Sequence, residues 1–289
     1  MDTAGQRADR VFALVIVAEI LLILATWPLW TAIELFPAVP MFRHLGSVPI
    51  VMDWLTLAAL LVSSAAHLKS CRPEPNAAVS SPGAGLQAQS RRYNLWLMAA
   101  SASWLVVLNQ HRLQPWHWLF LIATAQSILL SGRQRLWAMR LTFATIYIFA
   151  ALSRLGADVD AGMSRQLLQT ACHLLGADQL LRNERLFFIV CLAMTLVELA
   201  VGLCLLLPRF RRLAVVMAMA LHLTLLVLLS PIGLNHHWGV LIWNAFFLIA
   251  IPLLFADVNQ PGSNAPFATV RLRLTAAIVV LFPLSGLFD

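Results

Sequence analysis

Long apolar runs separated by short polar loops dominate the chain and predict an all-α membrane protein. Each run is close to the roughly 20 residues that a helix needs to cross the hydrocarbon core of a bilayer. A β-barrel is disfavoured, because its strands would show alternating patterns of about ten residues. The predicted spans cover 11–30, 48–67, 93–108, 116–131, 137–155, 186–207, 213–230, 238–255 and 272–288. The pattern predicts a polytopic bundle of about 8–9 transmembrane helices.

Two longer connections interrupt this pattern. Residues 70–90 are rich in Pro, Ser, Ala and Gly, a composition typical of a flexible linker. Residues 162–181 place Leu168, Ala171, Cys172 and Leu175 on one face, widened by two further leucines. That spacing predicts one amphipathic helix on the outer face of the bundle.

Four regions follow from these features. They are an N-terminal transmembrane hairpin (1–69), a flexible cytoplasmic linker (70–91), a core bundle (92–257) and a C-terminal transmembrane segment (258–289).

Composition supports the membrane class. The 289 residues are 60% hydrophobic and 11% charged, against roughly 25% charged residues in soluble domains. The formal net charge of +7 comes from arginines scattered over short loops, and a nucleic-acid-binding protein would cluster them in one domain. Binding to the lipid bilayer is therefore predicted, and binding to nucleic acid is not.

The basic residues also predict an orientation. Most lie in alternate loops, on the same side as the N-terminus, and basic loops stay cytoplasmic. The N-terminus is therefore predicted to be cytoplasmic in a multi-pass protein of the cell (inner) membrane. The basic residues of that side are Arg7, Arg10, Lys69, Arg72, Arg91, Arg92, Arg133, Arg135, Arg209, Arg211, Arg212, Arg271 and Arg273.

Glu198 and His222 are the first candidate pair inside the membrane. They lie at equal distances on either side of the basic loop 208–212, so an antiparallel hairpin puts them at the same depth. Two interpretations are open. The pair is either a proton relay or ligand site, or a structural hydrogen bond between helices.

The fifth span carries a second set. Arg140, Tyr147 and Arg154 recur every seven residues, and a face with these groups is expected to point into the bundle or an aqueous cavity. Asp158 follows Arg154 by four residues, the spacing of an ion pair on a helix. Arg154 is either part of a site or an anchor at the interface.

Two outer loops complete the candidate set. The stretch "NQHRLQPWHW" (109–118) concentrates polar groups beside tryptophans, and "GLNHHWGVLIWN" (233–244) contains adjacent histidines. Adjacent residues point in different directions, so no metal site is predicted. Polar groups from three segments converge at the outer end, as in a ligand site. The predicted ligand-binding residues are His111, Arg112, Gln114, Tyr147, Arg154, Asp158, His236, His237 and Asn244, beside the intramembrane pair of Glu198 and His222.

Two acidic residues lie in the first two spans. Glu19 is inside the first and Asp53 is early in the second. Either could pair with an interior arginine.

The stretches "YIFAALSRLGADVDAG" and "VELAVGLCLLLPRFRRLAVVMAMALHL" resemble the DoxX/MauE-like redox-associated membrane proteins. They are also similar to the HTTM family, the transmembrane domain of vitamin K-dependent γ-carboxylases. The resemblance covers roughly 105–255. In the carboxylase pattern a lysine pair ends the aromatic helix, and its second lysine is the catalytic base. Ser153 and Arg154 occupy those positions here, and arginine does not release its proton.

The resemblance implies a non-catalytic or quinone- or lipid-binding helper in a redox or protein-maturation pathway, with a partner protein. The chain has no C-x-x-C motif, so it would not carry a dithiol itself. Two alternatives stay open: a membrane enzyme related to the γ-carboxylase, and a transporter or scaffold.

Overall fold

The computed structural model describes residues 3–31, 37–71, 84–156 and 162–255, with the isolated positions 273, 275, 277 and 279. Every regular element within these residues is helical, which confirms the all-α class. The chain divides into two compact units, Met1–Ser131 and Gly132–Asp289, here called the N-terminal and C-terminal units. Their boundary falls inside the predicted core bundle of residues 92–257.

The described residues of the N-terminal unit form five α-helices. Helix α4 packs against α3 and α5, and α5 packs against α1. Two short 3-10 helices, Arg43–Ser47 and Gln110–Arg112, lie in its connections. The α-helices are α1 (Thr3–Ala25), α2 (Trp27–Trp30), α3 (Ile50–Ser70), α4 (Ala84–Leu108) and α5 (Pro115–Leu129).

The first predicted span is broken in the structure. Residues 11–30 were expected as one helix, but α1 ends at Ala25 and α2 begins at Trp27. Pro28 explains the break, because it lacks an amide hydrogen and its ring clashes with the carbonyl four residues earlier. Thr26, between the helices, accepts a hydrogen bond from the Trp30 indole at 2.9 Å.

In the C-terminal unit, residues 132–156 and 162–255 of the described chain also form five α-helices. Its closest packing is between α6 and α8, and further contacts join α8 to α9 and α9 to α10. Asn183 caps α8 by accepting a hydrogen bond from the Leu186 amide at 3.1 Å. The helices are α6 (Gly132–Gly156), α7 (Gly162–Leu174), α8 (Glu184–Leu206), α9 (Arg211–Leu229) and α10 (Trp238–Phe255), with a 3-10 helix at Asp178–Arg182.

Five helices of the described residues are long and apolar enough to cross a membrane: α3, α6, α8, α9 and α10. Three other predicted spans coincide with helices that do not meet this requirement of length and hydropathy. Helix α1 carries Asp9, Arg10 and Glu19, α4 begins with a polar stretch, and α5 has only 15 residues. The ninth predicted span, 272–288, lies outside the described residues apart from its isolated positions.

Exposed apolar residues mark the lipid-facing surfaces. On α9, Leu213, Val216 and Leu223 are 60%, 64% and 58% exposed, whereas Ala218 and His222 on the opposite face are buried. A continuous apolar stripe of this kind is unfavourable in water and favourable in hydrocarbon. The exposure pattern therefore supports contact with the bilayer.

Two predicted connections differ from their expected form. Residues 72–83 of the predicted linker lie outside the described residues, and α4 already begins at Ala84. The predicted amphipathic helix exists as α7, and its buried Leu167 and Leu168 pack on residues of α8 and α9. Leu175, assigned to the same apolar face, is 81% exposed because α7 ends one residue earlier.

Gly202 allows α6 and α8 to approach closely. A Cβ atom at this position would lie 2.8 Å from the Ile148 side chain and 3.0 Å from both the Ala144 carbonyl oxygen and the Tyr147 Cβ. Small residues at such contacts let helix backbones pack tightly in membranes. Gly202 thus sets the distance between the two helices one turn from Glu198.

We expect Gly202→Ala to destabilise the protein by about 1–3 kcal/mol, because the added methyl group overpacks this contact. The matched control is Gly85→Ala, where a Cβ meets nothing within 4 Å. Reversible unfolding in mixed micelles measures both. An equal effect of the two substitutions would contradict the close contact.

Candidate functional site

One face of α6 supplies the centre of the candidate site. The predicted stripe is present, since Ala144, Tyr147 and Ala151 are all buried. Its two ends differ. Arg140 donates from Nε to the Leu254 carbonyl at 2.8 Å, near the end of α10, where helix carbonyls lack intrahelical partners. Arg140 therefore stabilises a helix terminus, and Arg154 at the other end belongs to the site.

Arg154 forms an ion pair with Glu198 of α8. Its Nη2 donates to the Glu198 carboxylate, and its Nε donates to the Ala150 carbonyl at 3.0 Å. The Arg154 side chain is 35% exposed, whereas that of Glu198 is 12% exposed. The pair thus joins a largely buried carboxylate to an arginine side chain that is partly exposed.

A chain of hydrogen bonds joins α6, α9 and α10 beside this pair. The Tyr147 hydroxyl lies 2.6 Å from His222 Nε2, and His222 Nδ1 lies 2.9 Å from Asn244 Oδ1. The Asn244 amide nitrogen donates to the Val240 carbonyl at 2.8 Å. All three side chains are buried, at 2%, 6% and 4% exposure. We call Arg154, Glu198, Tyr147, His222 and Asn244 the polar chain.

The Val240 carbonyl, at the Asn244 end of the polar chain, fixes the direction of these hydrogen bonds. Because the Val240 carbonyl can only accept, the Asn244 amide must point its NH₂ group there and its oxygen at His222. His222 Nδ1 then carries a proton, and a neutral imidazole accepts from the Tyr147 hydroxyl at Nε2. Glu198 lies within electrostatic range of the Tyr147 hydroxyl.

Aromatic rings surround the polar chain. The His222 ring stacks on Phe247, with centroids 4.7 Å apart, and Tyr147 meets the same ring edge-on at 5.8 Å. Phe143 and Trp243 also contact Phe247. These rings exclude water from the hydrogen bonds, which strengthens them.

The structure gives Glu198 and His222 separate partners. Sequence position placed them at the same depth, and both lie in the C-terminal unit's buried interior. Their hydrogen bonds instead go to α6, with Glu198 bonded to Arg154 and His222 to Tyr147. Depth follows from counting residues, whereas the rotation of each helix about its axis decides which side chains meet.

Arg112 belongs to the N-terminal unit and is fully buried. It donates from Nη1 and Nη2 to the two oxygens of Asp53, at 2.9 and 3.1 Å. It also donates to the carbonyls of Leu29 and Leu105, at 3.2 and 3.3 Å. Four of its five N–H groups are thus used internally, which gives Arg112 a structural role, and its predicted ligand-binding role stays a prediction. Asp53, whose partner the sequence left open, thus pairs with the arginine of the stretch 109–118.

The neighbouring residues of that loop differ from Arg112. His111 is exposed, and Gln114 donates to the His111 carbonyl at 2.7 Å. His117, by contrast, is fully buried on α5 and lies 2.5 Å from Glu19 of α1. The sequence analysis did not predict this pair, because it left the partner of Glu19 open and placed His117 in the polar stretch 109–118.

The adjacent histidines of the loop before α10 stabilise the turn into that helix. His236 Nδ1 accepts from the His237 amide at 2.9 Å, and His237 Nδ1 accepts from the Gly239 amide at 3.1 Å. Among the described residues, no group of three or more His, Cys, Asp or Glu side chains has a metal-binding arrangement.

The predicted outer-end residues thus divide between the units. His111, Arg112 and Gln114 belong to the N-terminal unit, and Tyr147, Arg154, His236, His237 and Asn244 to the C-terminal unit. Asp158, the predicted helical partner of Arg154, lies outside the described residues.

Comparisons of the chain with protein-family models, curated proteins and solved structures found no match.

Tyr147→Phe removes the hydroxyl that donates to His222 and leaves a buried acceptor without its donor. We expect a loss of stability of about 1–3 kcal/mol. The chain has two tyrosines, and Tyr93→Phe is the matched control, since Tyr93 is 65% exposed. The loss of stability caused by Tyr93→Phe should stay within about 0.5 kcal/mol. Equal melting temperatures for the two variants would refute the buried hydrogen bond.

Proposed function

We propose that the protein is an integral membrane protein of DoxX/MauE type that binds a quinone or lipid through the polar chain of its C-terminal unit. Its role would be that of a non-catalytic helper in a redox or protein-maturation pathway. The observation that carries the proposal is the Arg154–Glu198 ion pair beside the buried Tyr147–His222–Asn244 chain.

The exposure of Arg154 supports binding at this end of the polar chain. Two of its N–H groups are used by Glu198 and Ala150, and its side chain is 35% exposed. A guanidinium has five N–H donors in a planar fork, so others remain for a carbonyl or phosphate oxygen. The cost of holding a cation in an apolar bundle is offset by Glu198, so the donor persists without ligand.

The chemistry of the ligand follows from the groups around Arg154. Arginine offers donors only, so the ligand must present acceptor oxygens. The exposed apolar surface of the helices favours a molecule that reaches the site through the bilayer. Quinones and phospholipids combine acceptor oxygens with a hydrocarbon tail, and both satisfy these requirements.

The same residue favours a binding role over carboxylase chemistry. The related enzymes use a lysine at this position as a base, and a lysine can lose its proton when it is buried. Arg154 stays protonated and is held by a carboxylate, so it can bind and orient an oxygen but cannot accept a proton.

Binding of a quinone analogue to the purified protein tests the proposal. We expect Arg154→Ala to weaken the affinity by about 10-fold or more, because a charge-assisted hydrogen bond contributes about 1.5–3 kcal/mol. The control is Arg212→Ala, which removes the same charge from an exposed position at the start of α9. A short-chain anionic phospholipid offered in competition distinguishes the two ligand classes. Unchanged affinity in Arg154→Ala, or no binding of either ligand, would refute the site.

We also propose the finer topology: about 8–9 spans in the inner membrane, with a cytoplasmic N-terminus. The support is the distribution of basic residues over alternate loops.

Reporter fusions test this orientation. A reporter that works only in the cytoplasm is expected to be active when it is joined after Gly85. A reporter that works only outside the membrane is expected to be active when it is joined after His237. The same side for both positions would contradict the proposed number of intervening spans.

A further inference from the structure

The N-terminal unit contains a buried carboxyl–imidazole contact between α1 and α5. Glu19 is 2% exposed and His117 is fully buried. Glu19 Oε1 lies 2.5 Å from His117 Nδ1, and His117 Nε2 lies 3.2 Å from the Ala102 carbonyl. The tilted Trp30 ring lies 4.9 Å from the imidazole, centroid to centroid. The proposed function uses neither Glu19 nor His117.

The hydrogen bonds determine how many protons this contact holds. The Ala102 carbonyl can only accept, so His117 Nε2 must carry a hydrogen. If Nδ1 and Oε1 both lacked a proton, two lone pairs would face one another at 2.5 Å. One proton must therefore lie between Glu19 and His117, which makes the pair neutral overall.

The second carboxyl oxygen supports the same conclusion. Glu19 Oε2 is buried and has no hydrogen-bond partner within the described residues. An isolated buried carboxylate would be strongly unfavourable with one oxygen unsatisfied. The shared proton removes the net charge and lowers this cost.

No further charge compensates the pair from the packed helices. Helix α4 has no ionisable residue between 94 and 108, and Arg112 is committed to Asp53. On α3, His67 packs against Phe12, more than one turn of α1 from Glu19. The remaining ionisable groups of α1, α3 and α4 lie toward the polar ends of these helices: Arg7, Asp9, Arg10, Lys69, Arg91, Arg92 and Tyr93.

We propose that Glu19 and His117 form a proton-binding site that holds one proton in the interior of the N-terminal unit. Its ligand is the proton itself, shared between the carboxyl oxygen and the imidazole nitrogen. Release of this proton sets a carboxylate against a lone pair, and uptake of a second proton creates a buried net charge. The site therefore couples the packing of α1 on α5 to proton exchange, separately from the polar chain of the C-terminal unit.

Glu19→Gln separates proton binding from a purely structural hydrogen bond. The glutamine amide can donate to His117 Nδ1, so the contact between the helices survives while the shared proton is lost. The control is Glu184→Gln, the same chemical change at an exposed position in the other unit.

The expected signature is a change of stability with pH. Where the unfolded chain has released the proton that the folded pair holds, the folded state binds one proton more, so stability falls as pH rises.

Reversible unfolding in mixed micelles between pH 5 and pH 9 measures this slope. Wild type and Glu184→Gln should show it, and Glu19→Gln should lack it. Parallel curves for wild type and Glu19→Gln would overturn the proposal and leave only a structural hydrogen bond.

Proton release gives a second test that does not need a folded variant. Wild-type protein unfolded by detergent at pH 8 in weak buffer should release about one proton per molecule from this pair. No release from wild type would overturn the proposal, whatever the fate of Glu19→Gln. Quinone binding is measured on the other unit, so either proposal can fail alone.

Discussion

The cost of placing charged groups in an apolar bundle governs the arrangement of both units. An ionisable side chain among hydrocarbon must find a partner, because neither lipid nor apolar side chains can solvate it. In the N-terminal unit Asp53 receives two hydrogen bonds from the fully buried Arg112, and Glu19 meets His117. In the C-terminal unit Glu198 receives a hydrogen bond from Arg154. Each pair joins different helices, so compensation of charge also fixes how those helices pack.

The two arginine–carboxylate pairs differ in how many N–H donors of the arginine remain for another group. Arg112 uses four donors internally and is closed to solvent, which makes it a fixed connection. Arg154 remains partly exposed and adjoins a hydrogen-bond chain whose direction is set by the Val240 carbonyl. A site needs a charged group that is held in place but not fully used. Of these two arginines, Arg154 meets that criterion and Arg112 does not.

Close helix packing makes the polar chain possible. Gly202 lets α8 approach α6 at Tyr147, one turn from the ion pair, and Phe247 of α10 covers the His222 ring. Hydrogen bonds between helices are modest individually, at about 1 kcal/mol, so they depend on packing that holds the donors and acceptors in register. Gly202 and Phe247 therefore contribute to the site without any polar group of their own.

The sequence by itself determined the helical class and the limits of most helices, because these depend on local hydropathy and its period along the chain. It also placed Tyr147 and Arg154 on one face of α6. It did not decide the partners: Glu198 bonds to Arg154 and His222 to Tyr147, and Glu19 meets His117, 98 residues away. Those choices depend on how each helix is rotated against its neighbours, which is set by packing between residues distant in sequence and has no local signal.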